Sequence, residues 1–387
     1  MSRPRPAPGV LILGVAAVLG VLGLIMVLSA SSVQSLRVYG GGWLFFQRQL
    51  AWLGLGAVAL VVTVRIDYRR WARFSGVLVA GCLVLLVAVL VPGLGAKVDG
   101  STRWLDLGPL RLQPSELAKL AALVFTADLL ARRADRLTER GAVLRPIAVT
   151  VGAMAVLIMA QPDMGTTMIL VITVLGLLFA AGYPWLRMAA VLGAASAVSL
   201  GLGMASTYRR ARITAFLDPW SDAGGSGYQV AQSLVALGSG GFTGVGLGAS
   251  RAKWGFLPNA HTDFIFAIIG EELGLLGALV VLGLFAALAV LGARAAMAAP
   301  DPFGRLLAVG VTVWISGQAL VNLGAVTGLL PVTGVPLPLV SFGGSSLVVT
   351  LVAIGILVNV AAQGAWAARG RGPASARSRG AGPGPGA

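Results

Sequence analysis

The chain has 387 residues, 57% of them hydrophobic and 11% charged, with a mean hydropathy of +0.88, which is far more apolar surface than one water-soluble core can bury. A formal net charge of +15 would suit a nucleic-acid binder, but the basic residues are scattered through short connections instead of being gathered with aromatics in one polar domain. Composition therefore excludes a soluble enzyme and a nucleic-acid partner, and it leaves an all-α integral membrane protein.

Apolar runs long enough to cross the roughly 30 Å hydrocarbon core as helices fall at about 10–31, 49–65, 75–92, 115–131, 147–160, 165–182, 186–206, 263–292, 306–328 and 344–366, giving about ten spans. The first follows Arg3 and Arg5 as a signal peptide would. It is about 22 residues long, however, and no small-x-small site closes it before Gln34, so it is expected to remain as the first helix. The single cysteine, Cys82, lies within a span and forms no internal disulfide. Most arginines fall on the side that carries both termini, among them Arg65, Arg69, Arg70, Arg73, Arg132 and Arg133. By the positive-inside rule both termini are cytoplasmic, and the long segments 93–114 and 207–262 lie outside.

The fourth span begins Gln113-Pro114-Ser115-Glu116-Leu117-Ala118-Lys119, a helix start at a proline with Glu116 and Lys119 on one face, able to neutralise one another. Arg111, just before it, is free to meet an anion. Asp163, in Gln161-Pro162-Asp163, either caps the sixth span or serves as a charge partner in a cavity. Arg209, Arg210 and Arg212 open the long outer loop, where guanidinium groups suit bidentate contact with a pyrophosphate and equally suit anionic lipid headgroups. The glycine-rich 238–248 stretch has no strand before it, so it is no dinucleotide motif; it forms a close-fitting loop over a substrate or simply turns.

At 257–274 the only histidine, His261, stands two residues from Asp263 where a polar loop runs into an apolar helix. Asp263 reads either as a helix N-cap or as a general base at the outer mouth of the eighth span. His261 would tune it, bind a phosphate or be structural. Glu271 and Glu272, about 12 Å deeper along the helix, face a cavity or an ionic partner, because a lone charge within a span is costly. Pro331, Pro336 and Pro338, with the Ser341 to Ser346 run, form a third outer segment rich in backbone breakers. There Ser341 and Ser345 open the tenth span and offer helix N-terminal amides to phosphate, or mark only a tight helix start. The tail 370–387, made of Gly, Pro, Ala, Ser and Arg, is expected to be disordered, so residues 1–369 form the membrane domain.

Together, Arg103-Trp104, the Gln113 to Lys119 segment, Gln161-Pro162-Asp163, Tyr208 to Arg212, Ala260-His261-Thr262-Asp263-Phe264-Ile265-Phe266, Gly270-Glu271-Glu272-Leu273-Gly274 and Pro338 to Ser345 resemble the shape, elongation, division and sporulation (SEDS) family over about residues 10–366. Ile269-Gly270-Glu271-Glu272 is more similar to its division branch than to its elongation branch. The resemblance implies a peptidoglycan glycosyltransferase of the bacterial cytoplasmic membrane that polymerises lipid II, with its active site on the outer face. It maps the family's essential aspartate onto Asp263 and its charged cavity residues onto Arg111, Glu116 and Lys119. Asn259 departs from the glutamate many members carry there, which leaves Asp263 as the main acid. Implied partners are lipid II, the growing strand, a class B penicillin-binding protein transpeptidase and other divisome proteins; a divalent cation, Mg or Mn, would assist the leaving pyrophosphate. A lipid II flippase and a non-enzymatic scaffold for the transpeptidase are the competing readings.

Overall fold

A computed structural model describes residues 8–370 apart from 99–100, 109, 138, 140, 191, 194–200, 202–215, 217, 223 and 226. Among the described residues the expected spans are met by α1 (Pro8–Tyr39), α2 (Leu44–Arg65), α3 (Arg69–Leu90), α4 (Pro114–Arg132), α5 (Leu144–Ala160) and α6 (Met164–Ala180), then by α8 (Ile265–Ala298), α9 (Pro302–Val326) and α10 (Gly344–Gly370). A short helix, α7 (Tyr228–Ser239), belongs to the long loop. Most of the expected seventh span, the Arg209 and Arg212 cluster and the tail beyond 370 lie outside the described residues.

Six of the described helices (α1, α2, α3, α8, α9 and α10) are long and apolar enough to cross a membrane, while α5 and α6 are apolar but shorter. The chain is thus a multi-pass membrane protein. Prolines pre-set the first turns of α4 and α9, and aspartates cap α6 (Asp163) and α9 (Asp301). The apolar stretch of α10 is 83% buried and that of α9 is 67%, against 11% for α2, so α9 and α10 form the interior and α2 the rim. Around them α1 packs on α8 and α10, α2 on α10, and α9 on α4, α6 and α8.

At one end of this bundle Asp301 accepts hydrogen bonds from Tyr68 Oη and from the Gly304 amide at 2.8 Å, and pairs with Arg69 at 2.8 Å. Asn359 accepts from the Tyr68 amide at 3.0 Å and donates to the Val64 carbonyl at 2.7 Å. These contacts bind the α2–α3 connection to α9 and α10. Asp263 lies at the opposite end.

Two features depart from the expected run of helices and loops. The 93–114 segment carries a small antiparallel sheet, β1 (Gly95–Val98), β2 (Ser101–Leu107) and β3 (Leu110–Leu112), in that order. Alternation in Ser-Thr-Arg-Trp-Leu-Asp-Leu suits a strand, but seven residues among ten apolar runs are easily passed over. The second is a break within α8. Gly274 adopts φ 66, ψ −165, outside the helical range, so residues 265–273 and 275–298 are two segments, not the single span expected at 263–292.

A side chain at Gly274 is doubly excluded, since a β-carbon would stand 2.4 Å from the Gly244 nitrogen and 2.6 Å from the Phe242 oxygen. Gly274→Ala should lower the unfolding temperature in detergent, with backbone strain alone costing about 1–3 kcal/mol. Gly283→Ala, helical and with open space around it, should leave it unchanged or raised.

Candidate active site

Residues 257–264 approach α8 through a chain of turns. Asn259 sits at φ 56, a left-handed conformation that asparagine tolerates far better than most residues. Its carbonyl accepts from the amides of Thr262 (3.1 Å) and Phe264 (3.3 Å), closing the turn. The helix then starts one residue later than a capping aspartate would require. Phe264 is the N-cap and no side chain caps it, so Asp263 is not the cap. The residue is partly exposed, and its carboxylate faces Gly334, where a β-carbon would stand 3.6 Å from Oδ2.

The backbone around Asp263 is held by other parts of the fold. Three successive carbonyls accept hydrogen bonds from other parts of the fold: His261 from the Phe342 amide (3.0 Å), Thr262 from Ser341 Oγ (2.6 Å) and Asp263 from Asn322 Nδ2 (2.7 Å). Asn322 Nδ2 also donates to the Val335 carbonyl at 2.8 Å, and Ser341 Oγ also accepts from the Leu337 amide at 2.8 Å. The Asp263 loop and the 334–342 segment are therefore one bonded unit. Gly23 of α1 admits that segment, since a β-carbon there would meet the Leu339 oxygen at 2.6 Å.

The His261 ring stacks obliquely between Phe45 and Phe342, with centroids at 4.9 and 5.7 Å. It is only 7% exposed, and its Nδ1 has no hydrogen-bond partner. Burial pushes the imidazole down to about 4, so at neutral pH it is uncharged and offers no positive charge to a phosphate.

Ser345 Oγ accepts from the Gln113 amide at 3.3 Å, and Ser341 is committed as above, so both serine hydroxyls join elements at this end. The Gln113 side chain donates to Ser115 Oγ (3.1 Å) and Asp163 Oδ2 (3.2 Å). Asp163 caps α6 through the Thr166 amide at 3.1 Å, and Thr166 Oγ1 donates to it at 2.9 Å, so one carboxylate is cap and cross-link at once. Arg103 of β2 donates to the carbonyls of Gln161 (3.1 Å) and Pro162, fastening the sheet to the α5–α6 turn. Arg111 lies opposite Asp106 on β3 and β2, with Nε 3.9 Å from a carboxylate oxygen and both side chains about half exposed. So loose a surface pair leaves the guanidinium available to another anion.

Below this end, Glu116 and Lys119 form an ion pair at 3.0 Å with side chains 3% and 1% exposed. Lys119 Nζ also donates to Gln318 Oε1 (2.8 Å), which accepts from Trp314 Nε1 (3.0 Å), and lies over the Trp314 ring at 5.0 Å. Gln318 Nε2 in turn donates to the Pro336 carbonyl at 2.9 Å. Gln318 and Asn322 stand four apart on α9, hence on one face, and they hold Pro336 and Val335 respectively. Glu271 and Glu272 face partners inside the fold: both receive hydrogen bonds from 250–253, with Lys253 Nζ 3.2 Å from Glu272.

Sequence reasoning passed over Asn322, Gln318, Gln49, Lys253 and Ser29. The first two carried a signal, amides four residues apart in an otherwise apolar span. Gln49, which donates to the Ser341 carbonyl at 3.2 Å, and Ser29 and Lys253, which meet distant partners, carried none.

An apolar helical bundle with a partly exposed aspartate, set on a hydrogen-bonded non-helical loop at one end, defines a polytopic membrane protein. The profile of the cell cycle protein family matches residues 10–365. A probable peptidoglycan glycosyltransferase FtsW of Geobacter metallireducens is 41% identical over 91% of this chain and 94% of its own length. The stage V sporulation protein E of Bacillus subtilis is 41% identical over 93% of this chain and 99% of its own. A solved chain, from work on structural coordination of polymerization and crosslinking by a peptidoglycan synthase complex, superposes with a TM-score of 0.77 at 29% identity, over 91% of this chain and 97% of that one. The chain belongs to the cell cycle protein family of FtsW, RodA and SpoVE.

Two outcomes follow from the buried groups. Lys119→Met strands the Glu116 charge and should cost about 3–5 kcal/mol, while Glu116→Leu combined with Lys119→Met should recover most of it; thermal unfolding in detergent reads both. His261 binds its proton more weakly folded than unfolded, so the unfolded state carries more protons between the two values. Stability should therefore fall by about 1.4 kcal/mol per unit as pH drops from about 6.5 towards about 4, and flatten below. As the only histidine, its NMR signal should titrate near 4.

Proposed function

We propose that this chain is a peptidoglycan glycosyltransferase that polymerises lipid II into glycan strands in septal wall synthesis during cell division. The observation that carries this reading is Asp263, a partly exposed residue whose own backbone carbonyl and those of the two preceding residues are hydrogen-bonded to other parts of the fold. General-base catalysis needs such a group within hydrogen-bond reach of a substrate hydroxyl. The names of the FtsW relatives support the substrate class.

In this mechanism Asp263 takes the proton from the sugar 4-hydroxyl of an acceptor lipid II. The oxygen attacks the anomeric carbon of the growing strand, the bond to pyrophosphate breaks, and undecaprenyl pyrophosphate leaves with inversion at that carbon. The proton on Asp263 then passes to water. Arg111, with Arg209 and Arg212, would meet the pyrophosphate charge; Glu116 and Lys119, paired with each other, present a neutral floor beneath. A divalent cation, Mg or Mn, would steady the same leaving group. Among the described residues no three His, Cys, Asp or Glu side chains converge.

The arginine-rich end of the bundle, with Arg69 and Arg132, supports cytoplasmic termini and an outer-face site. A class B penicillin-binding protein as crosslinking partner is supported by the solved synthase complex, with other divisome proteins around it. The flippase reading gains nothing from the acids within the spans, since Glu116, Glu271 and Glu272 are each engaged inside the fold.

The test is strand formation from purified lipid II in proteoliposomes, with the transpeptidase partner present and no other glycosyltransferase. Wild type should give a polymer ladder, and folded Asp263→Ala and Asp263→Asn should lose about 10²-fold or more in rate. Equal rates would remove Asp263 from the chemistry.

A further inference from the structure

Gly274 separates the first two and a half turns of α8 from the rest, and the loop before it closes the gap. The Glu271 and Glu272 carbonyls accept from the amides of Val245 (3.0 Å) and Gly246 (3.1 Å), while the Leu275 and Leu276 amides donate to the carbonyls of Gly241 (3.0 Å) and Phe242 (3.2 Å). The ladder that would have run straight through α8 instead detours through the glycine-rich loop. The half-helix 265–273, which begins two residues after Asp263, is thus seated by the loop and not by its own continuation.

Its side chains repeat the arrangement. Glu271 accepts from Ser250 Oγ and from the amides of Arg251 (2.8 Å) and Ala252 (3.3 Å), tying the half-helix to the loop alone. Glu272 reaches further. Its oxygens accept from Ser29 Oγ of α1 at 2.6 and 2.8 Å and from the Ser250 amide at 3.3 Å, and pair with Lys253 Nζ at 3.2 Å. Lys253 also donates to Ser29 Oγ at 3.2 Å and to the Gly248 carbonyl. Glu272 is 1% exposed and Lys253 8%. One carboxylate therefore joins half-helix, loop and α1.

We infer that Glu272, gripped by Lys253 and Ser29, is a positioning residue that sets where the half-helix of α8 holds Asp263. The inference rests on Asp263 being the general base proposed above. Among the residues described it is the Glu272 side chain that hydrogen-bonds this half-helix to a neighbouring transmembrane helix at the break, so its loss removes the tie to α1 and leaves the segment seated at the Gly274 hinge by the loop alone. A misplacement of about 1 Å at a reacting group is enough for a loss of roughly 10²-fold. A pair that served stability alone could be replaced by apolar residues without penalty, whereas a positioning latch cannot.

The experiment measures initial rates of lipid II polymerisation against substrate concentration and pH, using the full chain with its transpeptidase partner, for wild type, Ser29→Ala, Glu272→Gln and Lys253→Met. Glu272→Gln and Lys253→Met should lose about tenfold or more in kcat and Ser29→Ala about threefold or more, with KM within about twofold and the acid limb of the rate profile displaced. Wild-type kcat in either Ser29→Ala or Glu272→Gln would overturn the inference. So would losses that merely track the folded fraction by thermal shift, with the acid limb unmoved. If the buried-charge variants fail to fold, Ser29→Ala, which removes one hydroxyl, decides. Failure of wild type to polymerise, or full activity of Asp263→Ala, would sink the glycosyltransferase reading itself; an active wild type, a dead Asp263→Ala and a wild-type Glu272→Gln would sink only the positioning role.

Discussion

A non-helical backbone at the end of an apolar bundle keeps one shape only where protein groups satisfy its polar atoms. That constraint governs the Asp263 end of this molecule. The turn at 259–264 exposes carbonyls that a helix would have consumed, and each of the three leading to the carboxylate is met by a donor from somewhere else: an amide at 342, a hydroxyl at 341, a carboxamide at 322. The carboxylate is carried on a main chain that other parts of the fold hold in place. A loop held by solvent would hold Asp263 no better than solvent does.

The same rule disposes of the charges within the spans. Glu116 and Lys119 neutralise each other, and Glu272 meets Lys253. Both pairs are deeply buried, so each is held by hydrogen bonds beyond the Coulomb contact: Lys119 to Gln318, Glu272 to Ser29. Where an arginine meets an acid in the open, as at Arg111 and Asp106, the separation stretches to 3.9 Å and neither side chain is committed. Burial decides which charges are architecture and which remain available.

Much of this was legible in the sequence. Uninterrupted apolar length marks a membrane helix regardless of its partners, which is why the spans could be read before their packing was known. The polar-to-apolar junction at Asp263 was equally plain, because a carboxylate at a span's mouth stands out against its neighbours. The break in α8 was not. Gly274 sits in Gly-Glu-Glu-Leu-Gly-Leu-Leu-Gly, where glycine is as common as in any close-packed span, and only the opposing loop backbone shows that this one cannot be helical. Lys253 and Ser29 lie 19 and 243 residues from Glu272, and no periodicity links them. The capping reading of Asp263 failed for a local reason: the turn closed by the Asn259 carbonyl carries on through Phe264, so the helix begins one residue late.

The helix α9 links these arrangements. Gln318 and Asn322 project from one face, the first joined to Lys119 and to Pro336, the second to Val335 and to Asp263. Pro336 and Val335 are adjacent, so the ion pair of α4 and the backbone of the catalytic candidate are separated by two carboxamides and one peptide unit. A charge change at Glu116 or Lys119 is then not a remote event. With Lys119 neutralised, Gln318 Oε1 would lose a charged donor and keep only Trp314, and the Pro336 carbonyl would feel the side chain reorient. The buried pair is therefore joined to the Asp263 backbone through side chains of α9.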